Sequence, residues 1–514
     1  MRQAWWREPA VWLVMALWTL PYGLAWALQG DDHFLGVLLN PLDGFSYLAK
    51  MQQGYAGAWR FRLPYTADPG PGAYLFLFHL ALGHLARVLH LPLLGVYHAA
   101  RLSGAGTMVM ALRWLMDRVY PDDAAAARRG FRWALLGSGF GGLLLPWAGP
   151  EGPLDLWLAE GYPWLAGFTN AHFPWALAAL FVLMAPVEIA GWVQAGLAGF
   201  LSLLSPFGVA LALPVRLGRA TWHVHTGALS WRGWLRAWAP TALAGLPYPA
   251  YVWWVVRHDP VLAGWNAQNQ TPLPGWGMTL AAFGPWVLLV LGGWLRGQRT
   301  GSARWPSRAA MLTFGLWLVV GAGLAALPIA LQRRFLLGWV VPWAGLAAGF
   351  WPRSRWAHVV EALGWPTLFV FVAAVGHQSL SHSPRVYARA DEWAAWQWLR
   401  THTSRTALVL TGAESGAMLP AFTGRRVFYG HPMETVPAKA ELAFIQVMLC
   451  DPAPPGAKAD LLRRRGATHV LVGPREHAFC QGPLHLPAGL VERFRAGDVR
   501  VFMWRDDVAT KHAP

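Results

Sequence analysis

Long apolar stretches alternate with short polar ones over most of the chain. A spanning helix needs about 20 mostly apolar residues, and the first such stretch covers 10–28. Residues 73–117 predict a partial or surface helix followed by one span, and 171–222 predict three short spans. About 11 spans are expected in all. The prolines expected to break the short spans are Pro186, Pro206 and Pro214. The other predicted spans are 131–148, 236–256, 278–295, 310–331, 335–351 and 358–376.

After residue 376 the pattern changes, and 385–514 contains many charges and no stretch of spanning length. Strand patterns alternate there with helical ones, which indicates a small α/β domain. The predicted fold is therefore an all-α polytopic membrane domain over 1–376, followed by a small α/β domain over 385–514. The predicted strands are 407–411, 426–429, 468–472 and 499–504, and the predicted helices are 391–401, 438–450 and 458–465.

The composition agrees with a membrane protein. Of the 514 residues, 55% are hydrophobic and 13% are charged, whereas soluble proteins carry about 25% charged residues. The net charge is +16, but the arginines cluster in short loops, as the positive-inside rule requires. The expected partner of this charge is the lipid bilayer, and no nucleic acid partner is expected.

The distribution of charge predicts the orientation in a cytoplasmic membrane. Loop 150–170 contains Glu151, Asp155 and Glu160 and no Lys or Arg, so it is expected outside. The N-terminus is then cytoplasmic and the C-terminal domain extracytoplasmic. The arginines assigned to cytoplasmic loops are Arg118, Arg128, Arg129, Arg132, Arg216, Arg219, Arg232, Arg236, Arg296, Arg299, Arg304, Arg308, Arg353 and Arg355.

The chain has two cysteines, Cys450 and Cys480, both in the C-terminal domain. Two thiols define neither a metal site nor a disulfide framework. In an extracytoplasmic domain they are expected either as one disulfide or as two unpaired thiols.

The first outer loop concentrates carboxylates at Asp31, Asp32 and Asp43. A carboxylate can act as the general base that deprotonates an acceptor hydroxyl. Clustered carboxylates can also bind a hard divalent cation such as Mg²⁺ or Mn²⁺, and if the reaction depends on a metal, these three are the predicted ligands. Alternatively, Asp31 and Asp32 cap a helix or mark the water boundary.

Two further outer loops contain polar residues. Glu160 is predicted to share the catalytic centre with Asp43, and His172 opens a predicted helix and is a candidate substrate contact. The alternative for this loop is an interfacial aromatic belt. Asn266 lies in an Asn/Gln-rich outer loop and is a candidate contact to sugar hydroxyls, unless the loop is simply solvated.

A basic cluster at Gln332, Arg333 and Arg334 lies on the outer side, against the positive-inside tendency. Arginine donates two parallel hydrogen bonds to phosphate oxygens, so we expect a phosphate contact here. Arg101, near the same surface, is a further candidate. Anchoring to lipid head groups is the alternative for these arginines.

The C-terminal domain carries polar turns at His431, Glu434 and Arg475. They either contribute to acceptor binding or only shape turns and dock the domain. The chain has no phosphate-binding glycine loop, zinc-ligand spacing or nucleophile elbow. These absences disfavour an ATPase, a zinc peptidase and a serine hydrolase.

Together these motifs resemble the GT-C superfamily of polytopic glycosyltransferases, which includes protein O-mannosyltransferases, lipid A aminoarabinose transferases and oligosaccharyltransferase catalytic subunits. Asp43 and Tyr47 match the acidic residue and following tyrosine of the family's first outer loop. A closer resemblance is to bacterial glycosyltransferase-like membrane proteins of unassigned substrate. It rests on the order of the segments 40–51, 169–173, 265–271, 332–335, 430–435 and 472–476.

The resemblance implies a polyprenyl-phosphate sugar donor and an inverting transfer outside the cytoplasmic membrane. The acceptor is a glycan, a lipid or a protein. Asp43 would be the base, Arg333 and Arg334 would hold the donor phosphate, and Tyr47 and Lys50 would contact substrate. The Asp-Glu pair of the mannosyltransferases is Asp43-Gly44 here, so their acceptor chemistry does not carry over.

A transporter or flippase for a lipid-linked saccharide is the alternative function. It accounts for the many spans and the outer arginines. It accounts less well for the acidic outer loops and the large outer domain. Transporters also favour polar residues near the middle of the membrane, and few are present here.

Overall fold

The computed structural model describes residues 5–147, 152–300, 305–351, 358–359 and 362–505. Glu151, Arg304, Arg353 and Arg355, named above, lie outside these residues. The chain forms two compact units, each assembled from three segments. The first unit comprises Met1–Gly23, His98–Val252 and Thr271–His377; the second comprises Leu24–Tyr97, Trp253–Gln270 and Gln378–Pro514.

The described residues before position 381 are mostly helical. Short 3₁₀ turns occur at Trp5–Arg7, Leu145–Trp147, Leu154–Leu156, Ala159–Gly161 and Gln332–Leu336. The α-helices are Pro9–Ala27, Pro41–Tyr55, Leu77–Leu89, Leu93–Val119, Ala124–Leu136, Gly141–Leu144, Pro163–Phe168, His172–Leu183, Gly191–Leu204, Pro206–His225, Trp231–Gly245, Pro247–His258, Pro260–Gln268, Trp276–Ala282, Gly284–Thr300, Arg308–Ala326, Val340–Phe350 and Trp365–Leu380.

Two helices in the described residues, Pro9–Ala27 and Arg308–Ala326, are long and apolar enough to cross a membrane. Trp276–Ala282 and Gly284–Arg299 form a third candidate, bent by 76° at the break between them. Three shorter apolar helices cover Leu77–Leu89, His172–Leu183 and Gly191–Leu204. The expected total of about 11 spans stays a prediction.

Several predicted spans are broken where the sequence places proline or glycine. In predicted span 131–148 the regular helix ends at Leu136, before Gly137 and Gly139. Span 236–256 is divided before Pro247, which has no N–H to continue a helix. Pro206 begins a helix, as expected, but Pro214 lies inside the same helix and does not break it.

Arg216 and Arg219 lie on helix Pro206–His225 and not in the predicted loop. Both are buried. Arg216 donates to the carbonyl oxygens of Leu183 at 2.8 Å and Ala237 at 2.6 Å. Leu183 is the last residue of its helix, and arginine can satisfy a carbonyl group left open where a helix ends.

The second unit contains a five-stranded sheet in the order β4-β3-β5-β7-β6. Its strands are β3 Leu408–Leu410, β4 Arg426–Val427, β5 His469–Val472, β6 Leu490–Ala496 and β7 Val499–Trp504; β1 His33–Phe34 pairs separately with β2 Tyr387–Ala388. Strands β3, β4 and β5 are parallel, and β7 is antiparallel to β5 and β6. The unit's remaining helices are Ala390–His402, Ala413–Thr423, Ala438–Cys450, Pro455–Arg464 and Pro474–Cys480.

The core of this sheet explains why the region folds. All four residues of β5 are buried, as expected for a strand covered on both faces. Ile445 and Leu449 of the adjoining helix pack with Val470 in one apolar cluster. Cys450 and Cys480, at the ends of two helices, form a disulfide, so the first of the two open possibilities holds.

Candidate functional site

Asp43 lies in the first turn of helix Pro41–Tyr55, called the first-loop helix below. Asn40 precedes it in the left-handed conformation (φ 50°), and Pro41 occupies the start of the helix, where its missing N–H costs no hydrogen bond. A carboxylate in the first turn is stabilised by the positive end of the helix dipole. The Asp43 side chain is 49% exposed, so a molecule in solution can reach it.

His431 lies beside Asp43, with its Nε2 atom 3.5 Å from Asp43 Oδ1. The imidazole is 6% exposed. The backbone N–H of Met433 donates to its Nδ1 atom at 3.0 Å. Because Nδ1 accepts, neutral His431 carries its proton on Nε2, which faces the carboxylate.

His431 belongs to the segment 428–435, called the carboxyl-end loop because it follows strand β4. Loops after parallel strands meet at one edge of a sheet, where α/β proteins commonly bind ligands. A Cβ atom on Gly430 would lie 2.3 Å from the carbonyl oxygen of Gly416, so only glycine permits this close approach. The Thr435 hydroxyl accepts from the N–H groups of Gly430 and His431 at 3.3 and 3.2 Å.

A buried ion pair lies on the same face of the first-loop helix. Lys50 Nζ is 2.7 Å from Glu434 Oε1 of the carboxyl-end loop, and Ser46 Oγ donates to the same oxygen at 2.6 Å. Lys50 also donates to Ser46 and is 0% exposed. Its ammonium lies 4.1 Å from the centre of the Phe76 ring, a cation–π contact.

The charge on Glu434 depends on these neighbours. Burial alone would raise its pKa, but the charge of Lys50 and the hydrogen bonds from Lys50 and Ser46 outweigh burial and lower the pKa. Tyr65 is also buried, and burial together with the charges of Glu434 and Asp43 raises its pKa well above the ordinary value. Glu434 is therefore ionised and the neighbouring phenol neutral.

Two more predicted contacts lie in the second unit. The Tyr47 ring stacks on His79 with centroids 4.4 Å apart. Asn266 is exposed on helix Pro260–Gln268. On that helix Gln268, which the sequence did not single out, donates to the carbonyl oxygens of Met433 and Thr435 and so holds the carboxyl-end loop.

Asp31 and Asp32 have other surroundings. Asp31 is exposed, and Asp32 Oδ2 lies 2.9 Å from His382 Nδ1. Within the ranges that the structure describes, no group of three or more His, Cys, Asp or Glu side chains could hold a metal ion. Asp31, Asp32 and Asp43 thus do not form a ligand set for Mg²⁺ or Mn²⁺.

The predicted basic cluster lies in the first unit, on the turn Gln332–Leu336. Arg334 Nη1 pairs with Glu160 Oε1 at 2.9 Å; the arginine is 28% exposed and the glutamate 6%. The Arg333 guanidinium lies 4.7 Å from the centre of the Trp157 ring. The side-chain amide of Gln332 accepts from Leu273 N at 3.0 Å and donates to the Leu327 carbonyl at 2.9 Å.

The remaining candidates of the first unit, His172 and Arg101, are buried. His172 begins helix His172–Leu183, as predicted. Arg101 donates to the carbonyl oxygens of Gly167 at 2.7 Å and Trp18 at 2.9 Å. These bonds join two segments of the unit.

Replacing Arg101 with Met is expected to lower the thermal unfolding temperature in detergent. The variant would leave the Gly167 and Trp18 carbonyls without their charged donor, and a hydrogen bond to a charged group contributes about 1.5–3 kcal/mol. Arg232→Met, at an exposed position of the same unit, serves as the control. Equal unfolding temperatures for the two variants would contradict the structural role of Arg101.

Sequence reasoning missed Ser46, Tyr65 and Gln268. For Ser46 a signal existed, because residues four apart share a helix face and Lys50 follows at that spacing. Tyr65 and Gln268 reach the site through tertiary packing, which leaves no local pattern.

No protein-family model and no curated protein matches this chain. Among solved structures, an oligosaccharyltransferase from Archaeoglobus fulgidus tethered with an acceptor peptide is 10% identical, with TM-score 0.49 over 94% of this chain and 72% of that chain. ArnT from Cupriavidus metallidurans bound to undecaprenyl phosphate is 12% identical, with TM-score 0.47 over 99% of this chain and 100% of that chain. Arabinofuranosyltransferase AftD from Mycobacteria is 17% identical, with TM-score 0.46 over 96% and 41%.

Proposed function

We propose that the protein is a membrane glycosyltransferase that moves a sugar from a polyprenyl-phosphate donor to an acceptor outside the cytoplasmic membrane. Asp43 is the proposed general base. The observation that carries the proposal is the placement of Asp43: a half-exposed carboxylate at a helix N-terminus, 3.5 Å from a buried imidazole donor. A carboxylate at the positive end of a helix and within reach of solvent suits the deprotonation of a hydroxyl. The motif order that resembles the GT-C superfamily supports the same reaction.

In the proposed reaction the acceptor oxygen bonds to the anomeric carbon while the bond from that carbon to the phosphate oxygen breaks. The acceptor proton passes to a carboxylate oxygen of Asp43. Polyprenyl phosphate leaves with the bonding electron pair, and Asp43 later returns the proton to water. A single displacement of this kind inverts the anomeric configuration.

We assign the donor phosphate to Gln332, Arg333 and Arg334. Arginine suits this role because its planar donors match phosphate oxygens. Glu160 is proposed to orient Arg334, with which it pairs at 2.9 Å. Tyr47, Asn266 and His172 remain proposed contacts to sugar or acceptor, whereas the buried Lys50 and Arg101 are proposed as framework residues.

The proposed location is the cytoplasmic membrane, with the N-terminus inside and the C-terminal domain outside. The Cys450–Cys480 disulfide supports this orientation, because disulfides persist in oxidising compartments outside the cytoplasm.

We therefore expect no thiol to react with a maleimide-coupled polymer when the protein is unfolded in detergent without reductant. After reduction, both cysteines should react and shift the band twice. Cys480→Ser should give one reactive thiol without reductant. Two reactive thiols in the unreduced wild-type protein would contradict the extracytoplasmic placement.

The reaction can be tested in membranes of the producing organism with its own gene deleted, where native acceptors are present. Membranes with the restored gene should transfer radiolabel from one member of a panel of undecaprenyl-phosphate hexoses and pentoses to a product that is not the donor lipid. Membranes with the deletion should not. Movement of labelled lipid across the bilayer without a new glycosidic bond would favour a flippase and contradict the proposal.

A further inference from the structure

We propose that the C-terminal α/β domain completes the catalytic centre, with His431 as a positioning residue that orients Asp43 through its Nε2–H group. The inference deepens the proposed function and rests on Asp43 being the base. Three features of the second unit carry it: the hydrogen bonds of the imidazole, the ion pair beside it and the anchoring of the loop that bears both.

The first feature is the fixed orientation of His431. The N–H of Met433 donates to Nδ1 at 3.0 Å, and the N–H of His431 itself is bound by the Thr435 hydroxyl at 3.2 Å. A backbone N–H thus holds the ring, and a side-chain hydroxyl holds the main chain of His431. Since Nδ1 accepts, the neutral ring carries its proton on Nε2, and Asp43 Oδ1 lies 3.5 Å from that nitrogen.

The second feature is a further contact between the first-loop helix and the carboxyl-end loop. Ser46 and Lys50 follow Asp43 by three and seven residues, so all three share one face of the first-loop helix. Along that face His431 meets Asp43, and Glu434 meets Ser46 and Lys50. Two contacts on one face fix both the distance and the rotation of the loop relative to the helix.

The third feature is the anchoring of the carboxyl-end loop from its other sides. Gln268 donates to the carbonyls of Met433 and Thr435, and its side-chain oxygen accepts from Ala438 N at 3.3 Å. Gly430 packs directly against the backbone of helix Ala413–Thr423. The imidazole is therefore presented to Asp43 by a rigid support, as precise positioning of a reacting group requires.

The consequence is that the C-terminal domain is part of the catalytic machinery. Its sheet delivers His431 from the carboxyl end of β4 to the N-terminal turn of the first-loop helix. Asp43 keeps its exposure on one side and receives an oriented donor on the other. The domain thus sets the direction in which the carboxylate faces an incoming hydroxyl.

Two substitutions of His431 test the proposal, because each keeps the hydrogen-bonding capacity of only one of the two ring nitrogens. His431→Asn keeps an acceptor near the Nδ1 position and loses the donor toward Asp43. His431→Gln keeps a donor near the Nε2 position. In the membrane transfer assay, His431→Asn should lower kcat about 10²-fold with little change in KM for the labelled donor, and His431→Gln should recover most of kcat.

His382→Asn provides the matched control, because His382 also contacts an aspartate of the same unit, Asp32, at 2.9 Å. It should leave kcat unchanged. Thermal unfolding of all variants checks that they fold. Full activity of folded His431→Asn, or equal loss in His431→Asn and His431→Gln, would overturn the positioning role.

Asp43→Asn, measured alongside, separates the two proposals. If Asp43→Asn is inactive and His431→Asn is fully active, only the positioning role fails. If Asp43→Asn is fully active, or if wild-type protein transfers label from no donor, the proposed function fails and this inference fails with it.

Discussion

Asp43→Asn should lower the rate of sugar transfer by about 10²–10⁴-fold, the contribution usual for a general base. Asparagine has nearly the same shape as aspartate and keeps an oxygen that can lie at the present 3.5 Å from His431 Nε2, so the fold should persist. What it loses is the negative charge that takes the acceptor's proton. Initial rates with the active labelled donor, at saturating concentration, measure the effect directly.

Asp68→Asn is the control for Asp43→Asn. Asp68 is an exposed aspartate of the same unit whose carboxylate accepts from Gly70 N at 3.2 Å, and an asparagine oxygen can accept the same bond. Asp68→Asn removes one negative charge, as Asp43→Asn does, but at a position away from the site. A rate loss of similar size in both variants would show that net charge, and not the base, limits transfer.

Lys50→Met should destabilise the protein more than any surface substitution. Lys50 is 0% exposed and pairs with Glu434, which is 12% exposed. Removing one partner of a buried pair leaves the other charge uncompensated and typically costs about 3–5 kcal/mol. Lys439→Met, at an exposed position, should change the free energy of unfolding by less than about 0.5 kcal/mol.

The double variant Lys50→Met/Glu434→Leu should recover most of that loss, because an apolar pair can replace a buried ion pair at little cost.

The buried pair of Lys50 and Glu434 also predicts that stability depends on pH. Since the pKa of Glu434 is lowered on folding, its contribution is complete above the ordinary glutamate pKa and is lost as the pH falls through the lowered value. The unfolding temperature of the wild type should therefore fall more steeply as the pH is lowered than that of the double variant. Parallel curves of unfolding temperature against pH would contradict the role of the pair.

Patterns along the chain predicted the C-terminal domain well. Helix 438–450 and strand 499–504 are confirmed as Ala438–Cys450 and Val499–Trp504, because each has the periodicity of an element with a buried face. Strand β6, Leu490–Ala496, was missed; much of it is exposed, so its apolar pattern is weak.

The membrane part was harder to predict because apolar composition marks a segment but not where its helix ends. Segment 278–295 is one apolar stretch in sequence, yet its helix bends by 76° at Phe283, next to Gly284 and Pro285. The described part of loop 150–170 is mostly buried, which its polar and aromatic composition did not indicate.

The candidate site was predicted only in part, for a physical reason. Asp43 was found because carboxylates cluster in the first outer loop, and Lys50 because it belongs to the motif that carries the family resemblance. Their partners His431 and Glu434 lie more than 380 residues away in sequence and were expected either to bind acceptor or to shape turns and dock the domain, with no partner named. The second unit is assembled from three segments that are distant in sequence. No local sequence pattern indicates which residues of these segments contact one another.

The anomeric configuration of the purified product tests the central claim most directly. Direct displacement with Asp43 as base predicts a glycosidic bond of configuration opposite to that of the undecaprenyl-phosphate donor. NMR coupling at the anomeric proton distinguishes the two configurations for sugars such as glucose and galactose. Inversion by wild type, with product formed about 10²–10⁴-fold more slowly by Asp43→Asn, is the predicted result. Retention of configuration would exclude a single in-line displacement and would contradict the proposed reaction with Asp43 as its base.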